Sequence, residues 1–354
     1  MDFTQSYQKK TMPYLKIWVL AITLAVMGVA INEYLAAKAE HRHSVVNDAD
    51  LWALERHKVE SLEDSAILLL GASRMQTNID TFRVRETCTN LPIIQLAMSG
   101  RGSPLPAFQD IVKNTNYAGL IILSETEATL ISPNSRQTEF VQKYRSGFFQ
   151  EARWNRQLRS ALEQHLRSAT PSSSSERLYG NLVMRQRLPY PRHVKTHSDR
   201  SQDANFELME PRLLENIRNP KKTRPPQDPI DHQSWQEQVT KNYKNLIQTF
   251  QKRGGQVIFV RMPVDNVRRE YEKVTWPKGL FWDKLESALG TPNWHYTEDP
   301  ALESYSLPDR SHIDEKDKAF FTDNFFYGIY KKLPASIKNT YGCLSRPKIE
   351  GTLQ

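Results

Sequence analysis

The sequence predicts an α/β protein with a parallel sheet and one N-terminal transmembrane helix. Three apolar runs have the composition of strands buried on both faces, and segments able to hold helices separate them; they lie at 66–70, 91–102 and 118–125. This alternation is typical of parallel sheets. A further stretch, at 17–31, is apolar and uncharged. With 354 residues, 39% of them hydrophobic, the chain is long enough to bury a substantial core.

The N-terminal stretch is predicted to anchor the chain in a membrane. Residues 17–31 span about 22 Å as a helix, and residues 14–37 span about 36 Å, against a hydrocarbon core of about 30 Å. The lysines that precede the stretch favour a cytoplasmic N-terminus and an exported body. The small-residue pattern "AKA" at 37–39 leaves a cleaved signal peptide as the alternative, and the body is exported in either case.

The formal net charge of +8 suits an anionic partner, which includes nucleic acids, membrane surfaces and acidic polymers. Aromatic residues are not interleaved with Lys and Arg, and zinc-finger, RNA-recognition and helix-turn-helix patterns are missing, so no nucleic-acid partner is expected. No cofactor and no metal is expected either. Cys88 and Cys343 either form a disulfide in an oxidising compartment or stay as packed thiols.

Regular structure is predicted again in the second half of the body. A helix with one apolar face precedes Gly254 and Gly255, and its buried positions are Trp235, Val239, Tyr243, Leu246, Ile247 and Phe250. A buried strand follows at 256–260. A last helix has Asp314 as its candidate N-cap, and it buries Phe321, Phe325 and Ile329.

The chain divides into regions of different character. Residues 135–230 contain Ser-, Pro- and Lys/Arg-rich stretches with little periodicity, which predicts an irregular insertion, either a lid over a site or a mobile solvated loop. The expected regions are a tail and anchor at 1–37, a stalk or short helix leading into the domain at 38–63, an α/β domain at 64–335 that includes the insertion, and a C-terminal tail at 336–354.

Ser73 is the first candidate catalytic residue. It lies in "AILLLGASRMQTNID", where Gly71 ends an apolar strand and the chain turns. A hydroxyl at the end of a buried strand can act as a nucleophile if a base removes its proton. The alternative is that Ser73 caps the helix that follows.

The loop "LPDRSHID" supplies a candidate base. Asp309 and His312 are three residues apart, just before the last helix. A serine nucleophile needs a histidine base, and the base needs a carboxylate that fixes its tautomer and stabilises the imidazolium. The alternative is a local cap at the beginning of the helix.

In this order the motifs resemble those of the SGNH (GDSL-type) hydrolase family. The resemblance covers residues 64–130 and 254–332. It implies a flavodoxin-like three-layer α/β/α sandwich with a parallel sheet, and acyl-ester chemistry. It also implies Ser73 as the nucleophile, His312 as the general base and then acid, and Asp309 as its orienting carboxylate. The backbone N–H groups of Ser73 and Gly100 would bind the oxyanion.

The sequence departs from the family pattern at two places. "GASR" stands where many members have an Asp before the serine, and "LSETEATL" at 123–130 has no counterpart of the third-block asparagine, an oxyanion donor. The loss of one such donor typically costs about 2.7–4 kcal/mol of transition-state stabilisation. Arg74 or the Thr126 hydroxyl is a candidate replacement, unless Arg74 binds a surface carboxylate. Glu125 and Glu127 also suggest a glycosidase pair, although carboxylates at a strand end are usually solvated.

Membrane-anchored SGNH-like proteins act with membrane-bound O-acyltransferases on envelope glycans. The resemblance therefore implies a single-pass protein of the inner membrane whose extracytoplasmic body hydrolyses or transfers an acyl ester, acetyl above all, on an envelope glycan or other anionic polymer. The alternative is a non-catalytic SGNH-like scaffold of a polysaccharide assembly system. A third possibility is a structural α/β domain in which the motifs are coincidental.

Overall fold

The computed structural model describes residues 3–38, 42–62, 66–100, 102–132, 135–148, 158, 162, 192–219, 231–303 and 305–345. The strands in these ranges are β1 (Ile67–Leu70), β2 (Ile93–Gln95), β3 (Leu120–Ser124), β4 (Val194–Thr196), β5 (Gln202–Ala204), β6 (Gln256–Arg261) and β7 (Asn293–His295). The α-helices are α1 (Phe3–Lys38), α2 (Ala49–Lys58), α3 (Ser73–Thr77), α4 (Thr81–Thr87), α5 (Leu105–Asn114), α6 (Glu127–Ile131), α7 (Gln137–Lys143), α8 (Pro211–Arg218), α9 (His232–Lys252), α10 (Asn266–Thr275), α11 (Leu285–Leu289), α12 (Pro300–Glu303), α13 (Glu315–Lys332) and α14 (Ala335–Lys338).

A five-stranded parallel sheet organises the body. Its strand order is β2-β1-β3-β6-β7, and every neighbouring pair is parallel. The carboxyl ends of all five strands therefore meet at one edge of the sheet, where the connections to the next helices begin. Strands β4 and β5 form a separate antiparallel hairpin.

Strand β1 is apolar throughout, and β3 is apolar up to its last residue, because both faces of the sheet are covered. Successive residues of a strand point to opposite faces. Leu68 and Leu70 join one apolar cluster with residues of α9, whereas Ile67 and Leu69 join a second cluster with residues of α13. This arrangement explains the unbroken apolar runs in the sequence, since a strand buried on both faces does not alternate with polar residues.

The two long helices of the body confirm the prediction from periodicity. All six predicted apolar residues of α9 are buried, and Asp231 begins the helix by accepting a hydrogen bond from the Ser234 N–H at 2.8 Å. In α13 the three predicted residues are fully buried, and the Asp314 side chain accepts from the Lys316 N–H. The predicted strand at 256–260 is β6.

Several elements differ from the prediction. The run at 91–102 contains a strand of only three residues, β2, and β7 was not predicted. Of the two alternatives for residues 38–63, the structure has the short helix, α2, and this helix packs into the body: the Trp52 indole N–H donates to the Leu96 carbonyl at 3.1 Å. The predicted C-terminal tail is also packed as far as residue 345, since Leu344 is buried.

The described part of the predicted insertion is folded onto the body. Arg200, between β4 and β5, is fully buried and donates to the Gln95 carbonyl and to Asn47 Oδ1, each at 3.0 Å. Residues 192–219 therefore do not form a solvated loop. The Ser-rich stretch at 168–177 and most of the Pro-rich stretch at 219–229 lie outside the described residues.

Helix α1 contains a candidate membrane span. The segment Tyr14–Lys38 of α1 has a mean hydropathy of 2.1, most of its side chains are exposed, and it is long and apolar enough to cross a membrane. A signal sequence near an N-terminus has the same properties.

Cys88 and Cys343 are joined in a disulfide, with Cα atoms 5.4 Å apart. The alternative of two packed thiols was wrong.

Candidate active site

Asp309 and His312 are hydrogen-bonded to each other in the loop between α12 and α13. His312 Nδ1 lies 2.7 Å from Asp309 Oδ2, and the backbone N–H groups of Ser311 and His312 donate to Asp309 Oδ1 at 3.0 and 2.7 Å. Burial acts to raise the pKa of Asp309, but these hydrogen bonds outweigh it, so the pKa lies below its usual value. The carboxylate is therefore charged and fixed in orientation.

The other ring nitrogen of His312 is available. Nε2 is buried and has no hydrogen-bond partner among the described residues. Because Asp309 faces Nδ1, the neutral ring that fits this contact carries its proton on Nδ1 and its lone pair on Nε2. This tautomer is the one that can accept a proton from a nucleophile.

The loop has a constrained backbone. Arg310 has a φ of 69°, in the left-handed region that side chains other than glycine rarely adopt. Its N–H donates to the Leu307 carbonyl at 2.8 Å, and its Nε donates to Asp265 Oδ2 at 2.6 Å. These contacts hold the turn that places Asp309 and His312 on one side of the loop.

Ser73 is the first residue of α3, directly after β1. Ala72 is the N-cap of this helix, and no side chain caps it, so the capping role considered for Ser73 was wrong. The Ser73 hydroxyl is half-buried and makes no hydrogen bond to any residue that the structure describes. Gly71 before it must be small, since a Cβ there would lie 2.8 Å from Met75 Cβ and 2.9 Å from Ser124 Cβ.

Helix α3 and the histidine loop are in direct contact. Arg74 Nε donates to Ser311 Oγ at 3.2 Å, and the Ile313 N–H donates to Asn78 Oδ1 at 3.1 Å. Each contact joins a residue close to Ser73 with a neighbour of His312. No hydrogen bond joins Ser73 Oγ to His312 itself, and the approach of these two groups stays a prediction. In ligand-free enzymes such bonds are often long.

Arg74 is half-buried beside the loop. It forms no ion pair with a carboxylate of the described residues, and its one hydrogen bond there is the bond to Ser311. The surface-carboxylate alternative is therefore not what the structure contains. Desolvation and the nearby Arg261 lower the pKa of Arg74 to about 10, which still leaves the guanidinium charged at neutral pH.

Two backbone N–H groups were predicted to bind an oxyanion. As the first residue of α3, Ser73 has an N–H without a partner inside the helix. Gly100 lies in the exposed turn after β2 and has a φ of 67°. The end of β2 is tied to the Ser73 turn, because the Met98 N–H donates to the Gly71 carbonyl at 3.0 Å. Both N–H groups thus belong to neighbouring turns at the carboxyl edge.

The segment after β3 offers no free donor. Thr126 forms the capping box of α6 with Thr129, so its hydroxyl is already engaged. Glu125 and Glu127 are both buried, which corrects the expectation that they are solvated. Glu125 accepts from Ser103 and Tyr243, and Glu127 pairs with Arg261 at 3.2 Å. These partners argue against a glycosidase pair.

The hairpin brings a second histidine to the site. Burial lowers the pKa of His193, and Asp309 and His312 are close enough to act on it electrostatically. Arg218, at the end of α8, donates to the Pro308 carbonyl at 2.8 Å. The sequence held no signal for this placement, because His193 lies in no motif and its position depends on how the insertion packs.

Comparison with protein-family models and with curated proteins finds no match to this chain. In the part of the chain that the structure describes, no three His, Cys, Asp or Glu side chains are grouped so as to hold a metal ion. The side chains of Ser73, Arg74, Asp309 and His312, with the turns around them, form the candidate active site.

Proposed function

We propose that the body is an SGNH-like serine esterase or O-acyltransferase that acts on acyl esters of an envelope glycan. The observation that carries this proposal is the state of His312. One ring nitrogen is hydrogen-bonded to a half-buried, charged carboxylate, and the other is buried without a partner among the described residues. A histidine held in this way is suited to accept a proton at Nε2.

The topology supports the flavodoxin-like sandwich that this function implies. When the sheet strands alone are counted in chain order, the spatial order is 2-1-3-4-5, which is the flavodoxin-like order. Separate apolar clusters on the two faces fit a layer of helices on each side. In such sheets ligands bind at the carboxyl ends of the strands, where Ser73 lies.

The proposed reaction has two steps. His312 Nε2 takes the Ser73 hydroxyl proton while Ser73 Oγ bonds to the ester carbonyl carbon, and the protonated ring then gives that proton to the departing alkoxide. Water or a sugar hydroxyl then attacks the acyl-serine and loses its proton to His312, which passes this proton to Ser73 Oγ as the acyl–serine bond breaks. The Ser73 and Gly100 N–H groups and Arg74 would stabilise the oxyanion in both steps.

The location of the body fits an envelope substrate. A single-pass anchor would place the body outside the inner membrane, and a disulfide is typical of proteins exported to an oxidising compartment. The net charge of +8 suits an anionic polymer. A membrane-bound O-acyltransferase is the partner we propose as acyl source.

The test uses the full-length chain in detergent with p-nitrophenyl acetate. We expect Ser73→Ala to remove the release of nitrophenol above background, and a trapped acetyl group on Ser73 should be visible by mass spectrometry in the wild type. Ser99→Ala, which replaces a serine of a neighbouring turn, is the control. Equal rates for wild type and Ser73→Ala would contradict the proposal.

A non-catalytic scaffold is the second candidate. It is favoured by the absence of a free side-chain donor after β3 and of a hydrogen bond between Ser73 and His312. This candidate predicts that Ser73→Ala and His312→Ala both leave polysaccharide assembly in cells unchanged, whereas deletion of the whole body abolishes it.

A further inference from the structure

The chain that leaves α1 enters the body beside the histidine loop. Helix α1 ends at Lys38, and residues 39–41 connect it to Arg42. Arg42 Nη2 lies 2.6 Å from Glu315 Oε2, so that it forms an ion pair with the first residue of α13. Glu315 follows His312 closely in the sequence. The body is therefore tied to α1 at the end of the loop that carries the candidate base.

The attachment continues along the hairpin at the carboxyl edge of the sheet. The Val45 N–H donates to the Thr196 carbonyl at 3.0 Å, and the Thr196 N–H donates to Ser44 Oγ at 3.0 Å. Asn47 accepts from Arg200, the arginine that also binds the end of β2. The segment after α1 is thus fixed to the same edge of the sheet as the candidate active site.

The link between α1 and the body is short. From residue 38 to residue 42 the chain can span at most about 14 Å, since it advances by no more than about 3.6 Å per residue. The Ala36 side chain, in the last turn of α1, is fully buried, so protein already covers this end of the helix. The body therefore begins where α1 ends.

The length of α1 relates this attachment to the bilayer. The segment Tyr14–Lys38 is about 37 Å long as a helix, against a hydrocarbon core of about 30 Å. If α1 spans the membrane as proposed above, Lys38 lies at the level of the lipid headgroups. The carboxyl edge of the sheet, with the candidate active site, is then on the side of the body nearest the bilayer.

A site in this position favours substrates that are held in the membrane. An enzyme and a substrate tethered to one surface meet at a raised effective concentration, provided that the tethers let the reacting groups reach each other. A glycan carried on a lipid presents its first sugars next to the bilayer. A polymer free in solution gains no such advantage and would have to enter the space between the body and the bilayer.

We propose that the candidate active site acts on acyl esters of a lipid-linked glycan in the same membrane, on the sugars closest to the lipid. The inference rests on the proposed function for the ester chemistry and on α1 as the membrane anchor. It adds the physical form of the substrate, and it makes the length of the link at 39–41 a determinant of specificity.

The first experiment measures the orientation of the body without turnover. Full-length Lys316→Cys and Lys113→Cys chains are labelled with a donor fluorophore and reconstituted in phosphatidylcholine–phosphatidylglycerol vesicles that contain a rhodamine-headgroup lipid. Both positions are exposed, Lys316 at the start of α13 and Lys113 at the end of α5, which leads to the opposite edge of the sheet. We expect more energy transfer from position 316. Equal transfer, or more from position 113, would overturn the inference.

The second experiment lengthens the link. A flexible Gly-Ser segment of about 20 residues is inserted between residues 39 and 40. The control carries the same segment before Phe3, where the distance between α1 and the body stays unchanged. The vesicles contain 6-O-acetylglucosyl dioleoylglycerol as substrate. We expect the insertion to lower acetate release by about tenfold, because effective concentration falls with about the three-halves power of linker length. The control should match the wild type.

Soluble p-nitrophenyl acetate separates this inference from the proposed function. Its hydrolysis should be the same in the wild type, the insertion variant and the control, which also shows that all three fold. Hydrolysis of this ester with no acetate release from the lipid, or with equal release by wild type and insertion variant, would overturn the inference and leave the proposed function intact. Inactivity toward both esters would contradict the proposed function and the lipid-linked substrate together.

Discussion

Arg74 is the residue on which oxyanion stabilisation depends in the proposed site. It follows Ser73, contacts Ser311 and has no carboxylate partner among the residues described. Its guanidinium keeps its charge and presents several donors. Thr126, the other candidate for the missing amide donor, is engaged in a helix cap. The Arg74 guanidinium is thus able to bind either the oxyanion or an acidic group of the substrate.

We therefore predict that Arg74→Ala lowers kcat for p-nitrophenyl acetate by about a hundredfold with little change in KM, as expected for the loss of one oxyanion donor. Arg74→Lys should restore part of kcat. Arg83→Ala, which removes an arginine paired with Asp323 away from the site, is the control. A rise in KM alone would assign Arg74 to substrate binding. Unchanged kcat and KM would show that Arg74 contributes neither to catalysis nor to substrate binding.

Glu125 gives a pH prediction that does not depend on activity. Burial raises its pKa to about 7 from 4.5, although hydrogen bonds from Ser103 and Tyr243 act in the opposite direction. The folded state therefore binds the Glu125 proton more tightly than the unfolded state does. The stabilisation from this proton is fully present below pH 4.5 and is lost as the pH rises through 7.

We expect Glu125→Gln to remove this dependence. Relative to the wild type, the variant should gain about 3 kcal/mol in free energy of unfolding between pH 4.5 and pH 8. Chemical denaturation at the two pH values measures the difference. Glu286→Gln, at an exposed position, should follow the wild type. A parallel pH dependence of Glu125→Gln and wild type would contradict the assigned shift.

The β4–β5 hairpin is the element that the fold adds to the carboxyl edge of the sheet. Buried Arg200 ties it to Gln95 and Asn47, and the Phe206 N–H donates to Asp314 Oδ2 at 3.2 Å. The same Asp314 caps α13, directly after the histidine loop. The hairpin, the loop and α13 are therefore coupled through one carboxylate.

Arg200→Ala should detach the hairpin. It removes two charge-assisted hydrogen bonds and leaves the Gln95 carbonyl buried without a donor, at a cost of about 2–4 kcal/mol. Hydrogen exchange should increase in Gln202–Ala204 and in the histidine loop, and the melting temperature should fall. Arg212→Ala on the exposed side of α8 is the control. Exchange confined to the hairpin would show that the loop does not depend on it.

The elements predicted from the sequence are those that packing alone determines. Helices α9 and α13 and strands β1, β3 and β6 repeat apolar residues with the period or density of a buried face. The hairpin and α2 are held instead by buried polar side chains such as Arg200 and Arg56. The pattern of apolar residues in the sequence does not predict such contacts. Strand β7 has only three residues, too few for any period.

The candidate site was predictable from the sequence only where local geometry determines it. The spacing of Asp309 and His312 places both in one turn, so their contact follows from local geometry. The position of His193 depends on tertiary packing of segments far apart in the sequence. The burial of Glu125 and Glu127 likewise depends on partners before α5, in α9 and in β6 that no local pattern identifies.

At the scale of the whole molecule, the apolar helix α1 predicts the topology. Lysines precede the apolar part of α1, which favours a cytoplasmic N-terminus and an exported body. An alkaline phosphatase fused at residue 62 should therefore be active, and green fluorescent protein fused there should be dark. Replacing the lysines at 9, 10 and 16 with glutamate should reduce the phosphatase signal. The reverse pattern would place the body in the cytoplasm and would contradict the proposed envelope substrate.

The disulfide has a consequence for biogenesis. Its cysteines are 255 residues apart, one at the end of α4 and the other beyond α14. In an exported chain that emerges N-terminal end first, Cys88 stays a free thiol until Cys343 emerges. By then nearly the entire body has passed through the translocation channel. Bond formation is then a covalent marker of completed passage. A chain arrested partway would keep Cys88 open to alkylation, and thiol labelling would distinguish finished molecules from stalled ones.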